Sequence, residues 1–104
     1  MTLDGNYYSS DKKYVLKISD ANNKSGTADG TIETDHVLIP IKIQYLVNDQ
    51  LTNLQFSGQL DSSDKFIGGS GSTDSETYKK IKLAYGFTDG GEVKPYKMDF
   101  KRQD

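Results

Sequence analysis

The chain has 104 residues, 34% hydrophobic and 27% charged, and a formal net charge of −2. This length holds one core and not two, so residues 1–104 are expected to form one domain. Basic and acidic residues are interspersed, so no uniform field points to nucleic acid or to an anionic membrane. The absence of cysteine excludes disulfides, thiolate zinc sites and a cysteine nucleophile. Met1-Thr2-Leu3-Asp4-Gly5 has neither the basic start nor the apolar run of a signal peptide, and no segment is as long as a membrane span. As written, the chain reads as soluble and, if complete, cytoplasmic.

Turn residues divide the sequence into short segments of similar length, the pattern of an all-β meander. A first strand is expected from Gly5 to Ser10, ended by Ser9-Ser10-Asp11-Lys12. The second, Lys13 to Ser19, places Tyr14, Leu16 and Ile18 on one face, and Asp20-Ala21-Asn22-Asn23 turns the chain. A third, small and polar, runs from Ser25 to Thr34. From Val37 to Val47 every second residue is large and apolar, which commits one face to a core and the other to water.

Leu54, Phe56, Gly58 and Leu60 alternate with polar residues in a fifth strand that ends at Asp61-Ser62-Ser63-Asp64. A weaker sixth spans Lys65 to Thr73. Its Gly68-Gly69-Ser70-Gly71 run points to a bulge, a sharp bend or a flexible loop. Ile81, Leu83, Tyr85 and Phe87 mark the seventh strand, Asp89-Gly90-Gly91 a hairpin turn, and the last strand sets Tyr96, Met98 and Phe100 against Lys97, Asp99 and Lys101. No window carries helical spacing. The expected fold is therefore an all-β, small up-and-down antiparallel barrel of about eight strands, with a β-sandwich as the alternative.

Chemistry-bearing groups are sparse. His36 is the only histidine, beside Asp35, and neighbours in a strand point to opposite faces, so an exposed turn residue is the expectation. The glycine run lacks the lysine of a phosphate-binding loop and the order of a nucleophile elbow. Lys79, Lys80 and Lys82 read as a solvated face rather than a nucleic-acid surface. No catalytic residue, metal site or cofactor is expected. Inward rings from several strands, Tyr7 or Tyr8, Tyr45, Phe56, Tyr85 and Phe100, instead outline a packed core or a semi-polar lumen.

Four segments, in order, resemble the avidin and streptavidin family. Phe56-Ser57-Gly58-Gln59 is similar to the family's aromatic, Ser or Thr, Gly, Gln motif, and Gly5-Asn6-Tyr7-Tyr8 to its opening Gly-x-Trp-Tyr strand. Gly30-Thr31-Ile32-Glu33-Thr34 resembles its Gly-Thr-Tyr strand, and Tyr85-Gly86-Phe87-Thr88 stands where it carries Trp-Leu-Leu and a small polar residue. The resemblance implies an avidin-like barrel that binds a small molecule, biotin in the family, at one end, often within a dimer or tetramer. It implies Tyr45, Phe56 and Tyr85 in the places of ligand-stacking tryptophans, Ser9 and Thr34 as polar contacts to a ureido group, and Asp99 as a match to a late aspartate.

The chain departs from that pattern in having no Trp and in placing Ile32 where a hydrogen-bonding Tyr is expected. One strand is missing between Thr34 and Ile41, and extra residues lie between Leu60 and Tyr78. The combined expectation is a non-catalytic small-ligand module with weak or no biotin binding. The alternative is a protein-interaction or inhibitory barrel acting through loops or outer face. A small molecule, a protein or further copies of the chain are the expected partners, with no nucleic acid and no membrane.

Overall fold

The computed structural model describes residues 2–34, 37–59 and 65–103. Eight strands, β1 (Gly5–Ser9), β2 (Val15–Asn22), β3 (Thr27–Glu33), β4 (Leu38–Val47), β5 (Leu51–Gln59), β6 (Phe66–Asp74), β7 (Lys80–Asp89) and β8 (Glu92–Gln103), form a closed barrel in sequential order. Every neighbouring pair is antiparallel, and β1 pairs with β8, setting Asn6 opposite Gln103 and Ser9 opposite Phe100. Closure removes both sheet edges and rules out the sandwich. The C-terminal ends of β1, β3, β5 and β7 share one end, here the upper end; the start of β1 and the C-terminal ends of β2, β4, β6 and β8 lie at the lower end.

Alternation decides which face is buried. On β4, Ile39, Ile41, Ile43 and Tyr45 are buried while Pro40, Lys42 and Gln44 are exposed. The same rule turns Tyr7 inward rather than Tyr8, and brings Leu16, Ile32, Ile81 and Phe100 into one core. No helix among the described residues is long and apolar enough to cross a membrane.

The glycine run departs from expectation. It is a regular strand, β6, in unbroken register with β5 on one side and β7 on the other. Its inward positions are Ile67, Gly69, Gly71 and Thr73, and the two glycines are flanked by bulk: Phe56 and Tyr85 stand opposite Gly69, Leu54 and Leu83 opposite Gly71. A Cβ on Gly69 would run into the Ala84 carbonyl and the Tyr85 backbone, and one on Gly71 into the Leu83 side chain. The side chains of β5 and β7 fill the space that β6 leaves, which offsets the conformational cost of glycine in a strand. β6 also accounts for Phe66–Asp74 of the stretch between Leu60 and Tyr78 and brings the strand count to eight.

The lower end is closed by the N-terminal segment. Leu3 is fully buried, and its carbonyl accepts a hydrogen bond from the Tyr7 hydroxyl at 2.7 Å. The pairing of β2 with β3 shifts between Ser19 and Asn22, with Asp20 at φ 55°. That irregularity frees the Ala21 N–H, which donates to Asp4 Oδ1 at 2.8 Å. Tyr78, buried in the β6–β7 connection, holds φ 52°, a left-handed conformation that bulky residues rarely adopt.

Candidate ligand site

Three aromatic side chains meet on the inner wall between β5 and β8. The register runs from Phe56 across Gly69 to Tyr85 and on to Tyr96. Because Gly69 carries no side chain, the Phe56 and Tyr85 rings approach to 6.3 Å between centroids at 58°. On its other side Tyr85 stacks on Tyr96 at 5.3 Å and 22°. Both contacts fall in the range that favours aromatic pairs. Among the described residues the Tyr85 hydroxyl finds a thioether, donating to Met98 Sδ at 3.7 Å. Burial pushes its phenol well above the ordinary value, and the nearby Tyr14 and Tyr96 hydroxyls add to the shift. Tyr14, Phe87 and Tyr96 are only partly buried, so the cluster grades from a closed interior to an accessible edge.

Ser9 and Thr34 both lie at the upper end, after β1 and β3, and both hydroxyls are engaged locally. Ser9 Oγ donates to Asp11 Oδ1 at 2.7 Å and accepts from the Tyr14 N–H at 3.1 Å. The Lys13 N–H and the Ser9 hydroxyl together hold the Asp11 carboxyl below the usual carboxylate value. Thr34 Oγ1 donates to the Val37 carbonyl at 3.4 Å and accepts from the Val37 N–H at 3.2 Å. Each hydroxyl thus closes its own turn with its single proton.

The structure therefore brings Phe56 and Tyr85 together and sets the other expected residues apart. Tyr45 faces inward but reaches the lower end, where its hydroxyl donates to Asn23 Oδ1 at 2.7 Å in the β2–β3 connection. Burial raises its pKa, and Tyr78 and Asp4 raise it further. Asp99 is on the outer wall, exposed, in an ion pair with Lys80 at 3.1 Å. Among the described residues no group of acids and histidines has the arrangement of a metal site. Asp35 and His36 lie outside the described residues, as do Leu60 and the Asp61–Asp64 turn.

Two site residues were not singled out from sequence. Tyr96 shares its face with Met98 and Phe100, and Tyr14 shares its face with Leu16, so alternation carried both signals. Tyr78 had no such signal, because it sits in a turn rather than in a strand.

The fold has counterparts among solved structures. The biotin binding protein from chicken superposes with a TM-score of 0.78 at 17% identity, covering 98% of this chain and 96% of that one. Apo shwanavidin superposes with a TM-score of 0.67 at 16% identity, over 99% of this chain and 100% of that one. No protein-family model and no curated protein matches the sequence. Identities this low speak to architecture alone, and the architecture is plain: this chain folds as an avidin-like, eight-stranded antiparallel barrel.

Proposed function

We propose that the chain is a non-catalytic module that binds a small, uncharged, largely apolar molecule against the Phe56, Tyr85 and Tyr96 rings, entering from the upper end. The observation that carries this reading is the graded aromatic cluster, in which buried Tyr85 is flanked by partly accessible Tyr96 and Tyr14. Among the described residues these rings contact one another and the Met98 thioether, so a neutral ligand suits them better than an ion. The likeness to a biotin-binding barrel supports a ligand in the lumen.

Biotin itself is disfavoured. The Ser9 and Thr34 hydroxyls, the polar contacts implied for a ureido group, already donate within their own turns. Ile32 is fully buried where a hydrogen-bonding Tyr would serve, and a missing buried partner costs about 1–3 kcal/mol. Isothermal calorimetry with biotin and a panel of neutral aromatic and heterocyclic compounds tests the reading. A ligand recovered chemically unchanged, with heat that disappears in Tyr96→Ala, supports it; silence across the panel overturns it.

A second reading, association with a protein or with another copy of the chain, is favoured by one apolar edge. Leu46, Val47 and Leu51, around the β4–β5 turn, are 65%, 37% and 45% exposed. Sedimentation of Leu46→Lys against the parent chain tests whether this edge is covered in solution.

A further inference from the structure

The small net charge hides a division. Residues 79–103 contain seven Lys/Arg and three Asp/Glu, whereas the rest of the chain contains six and twelve. The β7–β8 hairpin is thus a cationic wall on an otherwise acidic molecule. On its outer face the register sets Lys80 directly opposite Lys101, Lys82 opposite Asp99, and Ala84 opposite Lys97. All four lysines are exposed. Asp99 is held by Lys80, and among the described residues Lys82, Lys97 and Lys101 have no carboxylate partner. Lys80 and Lys101, like charges directly opposite one another, weaken the strand pair, so stability of the hairpin does not account for that pair.

Beside these lysines a groove of about 960 Å³ crosses the outer wall from β4 to β8. Gln44, Gln55 and Ser70 lead in register through Ala84 to Lys97. A parallel row leads from exposed Leu46 through Asn53, Ser72 and Lys82 to Asp99, whose carboxylate is held by Lys80. The surface is therefore a bank of amides and hydroxyls, each able to donate and accept, that leads to the Lys82 and Lys97 ammonium groups, which have no carboxylate partner among the described residues, and to Asp99, which Lys80 holds. The backbone beneath is paired on both sides, so no peptide can add to it as a strand. Neither row presents an outward aromatic ring on which a nucleobase could stack.

We propose that the outer wall of β4–β8 is a binding site for an acidic glycan, a hydroxyl-rich chain bearing carboxylate or sulfate groups. The amides and hydroxyls meet the sugar hydroxyls, Lys82 and Lys97 meet the acid groups, and the small side chains of Ser70 and Ala84 let a sugar ring approach the sheet. This site is separate from the lumen and does not depend on what the lumen binds.

Binding of the full chain to heparin, polygalacturonate, uncharged dextran and polyglutamate, measured by calorimetry at low and high salt, tests the proposal. The expected result is binding to heparin, to polygalacturonate or to both, none to dextran, and weakening by salt. The two acidic glycans distinguish sulfate from carboxylate recognition. The double variant K82E/K97E is expected to lower that affinity at least tenfold, while Lys17→Glu on β2 leaves it unchanged; thermal melts verify that both variants fold. No binding to either acidic glycan, equal or tighter binding to polyglutamate, or indifference to K82E/K97E overturns the proposal. So does a dimer of the parent chain that K82E/K97E disperses, since the face would then be covered by a second copy.

Discussion

Phe56 and Tyr85 lie on strands that never pair with each other, yet their rings stand 6.3 Å apart because Gly69, between them in register, has no side chain. The contact is a property of three strands rather than two. Gly69→Ala places a methyl group against the Ala84 carbonyl and the Tyr85 backbone, and neither can yield without shifting β7. We expect a loss of about 1–3 kcal/mol, as for other overpacked cores, read as a lower urea midpoint with an unchanged slope. Gly68→Ala, whose added carbon comes no nearer than 3.7 Å to Phe56 O, is the control and should cost less.

Tyr85 and Tyr45 make the barrel sensitive to alkali. Burial raises both phenols above the ordinary value of 10.0. Below that pH both the folded and the unfolded chain hold these protons, and the contribution to stability is full and constant. As pH rises past it, the unfolded chain releases protons that the barrel retains, so the unfolded state binds fewer and stability falls. For buried Tyr85 the limiting slope is about 1.4 kcal/mol per pH unit. Denaturation midpoints from about pH 9 to about pH 11 should therefore decline, and Tyr85→Phe should flatten the decline by removing the ionisable group.

Much of this barrel was legible from hydropathy, and its exceptions have physical causes. The run from Val37 to Val47 alternates cleanly, and β4 begins within one residue of it. β6 was obscured because glycine contributes nothing to an alternating pattern; the relevant information lay in Phe56, Leu54, Leu83 and Tyr85 on either side. Asp99 shows the reverse case. Its place between Met98 and Phe100 points it outward, and in the structure it is exposed on the outer wall beside Lys80. Tyr45 was readable as inward-facing, but alternation cannot say toward which end of a barrel a long side chain leans. Only its bond to Asn23 settles that. The cationic hairpin was masked by averaging charge over the whole chain.

The N-terminal segment acts as a stopper whose worth can be measured. Leu3 is fully buried, its carbonyl is held by Tyr7, and Asp4 satisfies the Ala21 N–H freed by the irregularity in β2. Leu3→Ala should cost about 2–5 kcal/mol, as for other buried leucines. Asp4→Ala should cost about 1–3 kcal/mol by leaving a part-buried donor unpaired. Hydrogen exchange should show faster exchange at Ala21 in Asp4→Ala, with the strands at the upper end unchanged.

Two threonines side by side at the lower end should respond oppositely to one chemical change. Thr52 and Thr73 face each other across β5 and β6 and are both buried. Thr52 Oγ1 lies 2.8 Å from Ser75 Oγ, within a hydroxyl pair. Among the buried side-chain atoms described, Thr73 Oγ1 has no hydrogen-bond partner. Valine matches threonine closely in shape and removes only the hydroxyl. Thr52→Val breaks a satisfied bond and should lower stability by about 1 kcal/mol, whereas Thr73→Val removes a desolvated orphan and should raise it by a similar amount. Urea denaturation of the two single variants and the double variant measures both effects and their coupling. If Thr73→Val proves destabilising instead, the Thr73 hydroxyl has a partner in solution, and a buried water at the foot of β6 is the group to seek.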